Sequence, residues 1–500
     1  MLAHTSSSSD RYWRSLSAIL ILLALLFSCA HYSRFPLFLD SYYHMAVVRA
    51  FDTAGGVPLW GFWEFAPEGR PHLYPPLFHL GVIALNKSGI PLVEVFRILG
   101  VLSFPLLLFC LAFVLEHSLS PRHAFFGILV SSAPYTLYLV SSYTLPFTLA
   151  TAFCWLSYAA LQRRGFLAAG AWLSLACYTH TGAAVMGGLA LLLYGLMNSE
   201  IRAAAWKSVC LGALLGFPWW SYVLQHHDSL EPVRRMESSL IEWVPLCLIL
   251  GGAGVLWGIR QRRARSAYWL CWLTAQGLFL VHYPYRFWSA QGLLALAILG
   301  GLVLEAWTRK YEGSWGIKQA LGLWLILQLF CPSYLNGWGL CESNLGAAIG
   351  LSRLERTNDV SLYNRDLADA LSRAVLQNTG EGDLIWCDSG AVAALLSALT
   401  GRASSTGMWE EVLPGMPRTP IERLQLARCA LLLKDAGLPV PFVNRAQWKP
   451  VAETDLATVW IQDEGTVENP QGPVIPIAVC LGFLIGLLVL TRFKCNCKLG

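Results

Sequence analysis

Apolar runs long enough to cross a bilayer recur along almost the whole chain, and that recurrence restricts it to one class of fold. The first covers Leu16–Ala30. Others occupy residues 93–116, 122–140, 145–161, 165–180, 182–198, 204–224, 239–259, 267–282, 286–306, 317–335 and 474–492. A spanning helix needs about 20 apolar residues, because it rises about 1.5 Å per residue through a hydrocarbon layer about 30 Å thick. The pattern therefore predicts a multi-pass α-helical membrane protein with about 12 spans. Composition agrees: 55% of the 500 residues are hydrophobic and 13% are charged, more apolar surface than a soluble core can hide. The 21 Trp and 18 Tyr suit belts at the two membrane–water interfaces. A net charge of +5 fits cytoplasmic loop charges and supplies no surface for nucleic acid.

Charge orients the spans. Arg11 and Arg14 place the N-terminus in the cytoplasm. Leu26-Phe27-Ser28-Cys29 loosely resembles a lipoprotein cleavage box, but the many later spans favour an uncleaved first helix. Pro75–Leu85 is too short to span and is broken by Asn86-Lys87-Ser88-Gly89, so it reads as a helix lying along the membrane surface. With that stretch left out, Arg122, Arg163-Arg164, Arg202 with Lys207, Arg260 to Arg265, Arg309-Lys310 and Arg492 with Lys494 all face the cytoplasm; Arg234-Arg235 is the exception. The predicted organisation is a transmembrane domain over 1–335 with a large first external loop at 34–92. A small external soluble α/β domain follows at 336–473, then a last helix and cytoplasmic tail at 474–500. The expected location is a cell membrane, inner or plasma, with both termini cytoplasmic. In the soluble segment, Asp383–Cys387 and Ala457–Ile461 read as buried strands, and 364–377, 391–399 and 420–436 have helical spacing. Cys341, Cys387 and Cys429 fall there without defining a disulfide framework.

The first external loop carries the chemistry. Asp40-Ser41-Tyr42-Tyr43-His44 opens it, and a Gly/Pro-punctuated stretch ends in Pro-Glu-Gly-Arg-Pro-His-Leu-Tyr-Pro-Pro-Leu-Phe-His at 67–79. Asp40 stands where a helix N-cap would stand. A carboxylate there can also take a proton from a hydroxyl, a weak nucleophile, as it attacks; the two readings are compatible. His44 lies four residues on, on the same helix face. Glu68-Gly69-Arg70 reads as a turn.

A first span, an external Asp in a DxYYH-type segment, the loop above, a surface helix and an Arg-led second span (Arg97-Ile98-Leu99-Gly100) together resemble the membrane glycosyltransferases of the GT-C fold. They include the family labelled "6-pyruvoyl-tetrahydropterin synthase-related membrane protein" and, more distantly, the oligosaccharyltransferase catalytic subunit. The resemblance implies transfer of a sugar from a polyprenyl phosphate or diphosphate to a glycan, lipid or protein acceptor on the outer face. The family's first-loop acid corresponds to Asp40, with His44 beside it. Its phosphate-binding Arg corresponds to Arg286 at the outer start of a span, where a guanidinium can form paired hydrogen bonds. A snorkelling interfacial Arg is the alternative reading. Tyr43, His180, His282 and Arg70 complete the expected substrate-binding set. Many members carry a second acidic motif, which would fall near Ser141 to Thr144; no carboxylate is there. Metal candidates are therefore limited to Asp40, His227 and Asp228, holding a divalent cation such as Mg or Mn; a polar solvated loop is the competing reading of the last two. No GxxxxGK[ST] loop, CxxC pair or HExxH is present, which excludes the corresponding ATP, redox and zinc-protease motifs. A polyprenyl-lipid or polysaccharide transporter, or a binding protein without transferase activity, is the other class these features fit.

Overall fold

The computed structural model describes residues 8–36, 38–143, 145–230, 245–261, 267–278, 287, 292–310, 318–319, 322, 364–408, 412–414, 418–433, 448–454, 457–462 and 472–492. Most of the apolar runs are helices at the expected places. Helix α1 (Ser8–Ala30) covers the first. After a large loop come α4 (Leu92–Ser118), α7 (Leu145–Gln162), α8 (Phe166–Thr179), α9 (Thr181–Met197), α10 (Arg202–Gln225), α11 (Pro245–Gln261), α12 (Ala267–Gln276) and α13 (Gly292–Lys310). Within the described residues α1, α4 and α13 are long and apolar enough to cross a membrane. All but residues 318–319 and 322 of the expected span at 317–335, together with Cys341 and the loop at 282–286, lie outside the described residues.

The run at 122–140 is not one span. It forms α5 (Pro121–Ser131) and α6 (Tyr135–Tyr143), interrupted before Pro134, whose ring removes a donor and blocks the preceding residue from helical geometry. Helix α6 then meets α7 at a bend of 104°, and the pair counts as one further candidate span. Ser141 and Ser142, where the family's second acidic motif would fall, are buried at 4% and 1% exposure. The Ser141 hydroxyl donates to the Leu137 carbonyl, and Thr148 donates to the Ser141 carbonyl.

The helical core is aromatic and tightly packed. Tyr158 and Tyr268 stack at 3.6 Å between α7 and α12, and Trp13 of α1 packs on Phe125 and Phe126 of α5. The Arg-led start of α4 has a structural role. Arg97 Nη1 pairs with Glu94 at 2.6 Å, and its Nε donates to the Phe35 carbonyl at 2.9 Å. That holds the Phe35 ring against Gly100, where a Cβ would come within 2.3 Å of the ring. With Phe35 fully buried and its backbone pinned, Gly100→Ala should cost about 1–3 kcal/mol by overpacking. A melting temperature in detergent equal to the native one would show that the ring has room to move.

The first loop folds as α2 (Phe38–Ala54), strands β1 (Gly56–Pro58), β2 (Trp60–Gly61) and β3 (Arg70–Pro71), then α3 (Leu77–Lys87). Gly55 ends α2 with φ +68°, a left-handed geometry that glycine adopts without strain. Eleven residues of α3 extend about 16 Å, half a bilayer core. The turn at Glu68-Gly69-Arg70 is present: Gly69 has φ +63°, and a Cβ on it would strike the Gly61 carbonyl at 2.4 Å.

Toward the C-terminus a mixed sheet of order β4-β5-β7-β6 carries helices α14 (Arg365–Asn378), α15 (Gly390–Thr400) and α16 (Pro420–Leu426). Its strands are β4 (Ile385–Cys387), β5 (Cys429–Leu433), β6 (Trp448–Glu453) and β7 (Ala457–Gln462); β4 and β5 run parallel and the other pairs antiparallel. The helix expected over 420–436 stops at Leu426 and the chain becomes β5. An all-apolar run such as Cys-Ala-Leu-Leu-Leu is what a strand buried on both faces shows, and periodicity does not separate it from a buried helix. Cys387 and Cys429 are buried and free on neighbouring strands. Strand β8 (Val474–Pro476) pairs antiparallel with β1 and leads into α17 (Ile477–Arg492).

Candidate active site

Asp40 is the third residue of α2 rather than its N-cap. An acid in the first turn still complements the unpaired N–H groups of a helix start. It is only half-buried, while every residue from Ser41 to Val48 is buried. Asp40 thus borders the buried stretch 41–48, and Arg49, Thr53 and Ala54 further along α2 are exposed.

One turn further, His44 is 2% exposed. Its Nδ1 lies 3.1 Å from Nε2 of His79 on α3, a residue with no exposure at all. His72, 2% exposed, stacks edge-on between Trp63 at 5.2 Å and Trp219 at 6.4 Å, with its Nε2 unpartnered. Tyr74 bridges the group: its ring is 4.8 Å from His44 and 5.9 Å from His180. Tyr43 is buried beside His44.

These histidines are held neutral. Burial, and after it the neighbouring imidazoles His79, His180 and His72, keep His44 well below the usual histidine range. Burial does the same for His72, and it pushes His79 down to about 3 against the Pro75 carbonyl, which works the other way. The unfolded chain therefore binds protons that the folded one refuses. Stability from these groups is complete above pH 6.5 and is lost as pH falls from there toward 3. A His79→Phe variant should lose less melting temperature on acidification than the native protein. Parallel curves would show that His79 is not a source of the acid sensitivity.

Other residues singled out by sequence are placed differently. Arg70, 3% exposed, is not open to the site. Its Nη2 pairs with Glu64 at 2.7 Å, its Nη1 donates to the Val412 carbonyl at 2.7 Å, and its guanidinium lies over Phe65. His227 and Asp228 contact each other at 3.0 Å on an exposed turn. His226 instead faces Tyr222 and Trp60. His180 caps α9, its Nδ1 accepting from the Ala183 N–H at 3.2 Å. His282 and Arg286 lie outside the described residues. Among the described residues no three His, Cys, Asp or Glu side chains converge as a metal site. The expected set of Asp40, His227 and Asp228 is thus not assembled there. His72 escaped the sequence reading altogether. Histidines on α2, on α3 and beside β3 share no spacing, and only their crowding into one loop could have flagged them.

The loop is clamped to the sheet. Ala66 N–H donates to Ser404 O and Ser404 N–H to Trp63 O, both at 2.9 Å. Arg418 pairs with Glu68, and the Arg423 guanidinium also lies over the Phe65 ring, 4.7 Å from its centroid. Helix α15 packs along α2. A narrow crevice of about 10 Å³ remains between them, lined by Tyr43, Trp63, Glu64, Ser397 and Met408 among others.

No family model matches the sequence, nor does any curated protein. Solved structures do match. The apo oligosaccharyltransferase of Archaeoglobus fulgidus superposes with a TM-score of 0.58 at 10% identity, over 81% of this chain and 66% of that one. ArnT from Cupriavidus metallidurans, bound to undecaprenyl phosphate, gives 0.56 at 16% identity over 89% of this chain and 97% of its own. Arabinofuranosyltransferase AftD from Mycobacteria gives 0.57 at 14% over 93% and 40%. The chain has the GT-C fold. At these identities the likeness is one of architecture. This GT-C chain spans about two thirds of the archaeal enzyme's length. That enzyme was also crystallised with Zn and sulfate, whereas the residues described here offer no matching cluster.

Proposed function

We propose that this GT-C protein is a membrane glycosyltransferase that moves a sugar from a polyprenyl-phosphate-type lipid to an acceptor on the outer face of the membrane. The observation that carries the reading is Asp40, a half-buried first-turn acid next to the buried stretch 41–48 of α2, in a fold shared with an oligosaccharyltransferase, ArnT bound to undecaprenyl phosphate and an arabinofuranosyltransferase. The Asp40 carboxylate takes the acceptor hydroxyl's proton as the new bond to the anomeric carbon forms. The bond from that carbon to the lipid phosphate breaks, and the phosphate leaves with its electron pair. His44 borders the reacting groups and is kept neutral by its surroundings. Arg286 is assigned to the lipid phosphate by the family resemblance, and His282 stays in the expected substrate-binding set. A divalent cation at that phosphate would neutralise the charge that develops on it; among the described residues no three His, Cys, Asp or Glu side chains converge to hold one. The first loop, the sheet unit and the paired strands β1 and β8 lie on the outer side in this reading.

The test is mass spectrometry of lipid-linked sugars and glycans in cells lacking the protein and in cells carrying Asp40→Asn. Both should accumulate the same sugar-bearing polyprenyl lipid and lose the same glycan. A deletion that alters lipid distribution without stopping sugar transfer would point to transport instead.

A further inference from the structure

Beside the start of α2, ring side chains form a continuous file that is sealed at both ends and open in the middle. Tyr43 lies 6.3 Å from Tyr74, Tyr74 lies 5.9 Å from His180, and His180 lies 5.3 Å from Phe147, measured between ring centres. The end members Tyr43 and Phe147 are 6% and 9% exposed, and each lines a small cavity. Tyr43 lines the crevice of about 10 Å³ against α15. Phe147 lines a pocket of about 20 Å³ at the bend between α6 and α7. Both spaces are water-sized, too small for a sugar ring. Tyr74 and His180, the middle members, are only half-buried. A sugar-sized ligand therefore meets the file at these two.

Tyr74 is the better placed of the pair. Its ring is 4.8 Å from His44, which shares a helix face with Asp40 one turn earlier. Its backbone is fixed from both sides. Pro75 follows and holds Tyr74 extended, and two residues before it the His72 N–H donates to the Leu59 carbonyl at 2.9 Å. His44, His79 and His180 meet the ring at 70°, 80° and 84°, edge-on contacts that hold its plane. The ring is thus braced on its buried side and accessible on the other. His180, by contrast, already uses its Nδ1 to cap α9.

We infer that Tyr74 is a specificity-determining residue, the surface on which the sugar of the lipid-linked donor rests at the face of α2 that carries Asp40; this deepens the transferase reading and rests on it. The C–H groups of a sugar pack on an aromatic face while its hydroxyls reach polar groups around the edge. The same face carries partial negative charge, so it gives no hold to a phosphate. Tyr74 therefore recognises the group to be transferred and not the lipid phosphate that carries it.

The experiment offers two lipids to the full chain in lipid nanodiscs: the sugar-bearing lipid extracted from cells lacking the protein, and a pure polyprenyl phosphate with no sugar. Mass spectrometry of the lipid retained gives an apparent Kd for each. Tyr74→Leu should weaken the sugar-bearing lipid about 3- to 10-fold and leave polyprenyl phosphate unchanged. Tyr74→Phe, which keeps the aromatic face, should bind both as the native protein does. Native binding of the sugar-bearing lipid by Tyr74→Leu overturns the proposal. Equal weakening of both lipids also overturns it, because Tyr74 would then be packing for the histidine group. Tyr74→Met, flexible enough to refill the space, takes the place of Tyr74→Leu if that variant does not fold. Asp40→Asn separates the two ideas. If it stops transfer while Tyr74→Leu fails to distinguish the lipids, the transferase reading stands and the role of Tyr74 falls. If it transfers at the native rate, the transferase reading ends, and the two-lipid comparison still decides Tyr74.

Discussion

Asp40→Asn should slow sugar transfer by about 10²- to 10⁴-fold, the range expected when a positioned proton acceptor is removed, and should barely change stability. The amide has the shape of the carboxylate, so packing at the start of α2 is kept. Losing a negative charge from a first helical turn costs about 0.3–1 kcal/mol. Initial rates with extracted lipid-linked donor and a melting curve of the same preparation distinguish chemistry from folding. The assignment fails if the variant turns over at the native rate. It also fails if activity and melting temperature drop together, because Asp40 would then be an ordinary helix-start residue.

The second large effect is expected at the opposite kind of residue, one sealed away from substrate. Arg70→Met should destabilise the protein by about 3–5 kcal/mol, because it leaves the Glu64 carboxylate buried without its partner. The side chains of Arg70 and Glu64 are 3% and 7% exposed. The Val412 carbonyl would also lose its donor. Removing both charges together, as in Glu64→Leu with Arg70→Met, should cost much less than Arg70→Met alone, since the penalty comes from the stranded charge. Thermal melts of the three variants in one detergent supply the comparison. An Arg70→Met protein melting with the native one would mean that water reaches Glu64 and the pair is not sealed.

What the sequence showed depended on how local the signal was. Helices such as 145–161 and 182–198 needed only a run of apolar residues, and α3 was recognisable because its run was too short. The break at 122–140 was hidden because hydropathy is blind to the backbone constraint that Pro134 imposes. Strand β5 was mistaken for helix because Cys429–Leu433 is apolar on both faces. Asp40 lies in the first turn of α2 rather than at the N-cap position that its place before a helical pattern predicts. Arg70 is expected to bind substrate, and its occupation by Glu64 and by Val412 was not legible, because nothing local marks Glu64 as its partner and Val412 is remote in the chain. The histidine group had no motif, since its members sit on separate elements that meet only in three dimensions.

Strand β1 has its partner in β8: Gly56 pairs with Pro476 and Pro58 with Val474. A growing polypeptide therefore completes α2 and β1 long before the segment that pairs with β1 exists. At ribosomal speeds of 5–20 residues per second the wait is roughly 20–80 s. During that interval the nascent protein has an open seam beside α2, and any truncation before the last helix leaves it open permanently. Quality control needs no sensor of catalysis to discard such products, because the unsealed strand is itself the mark of an unfinished chain.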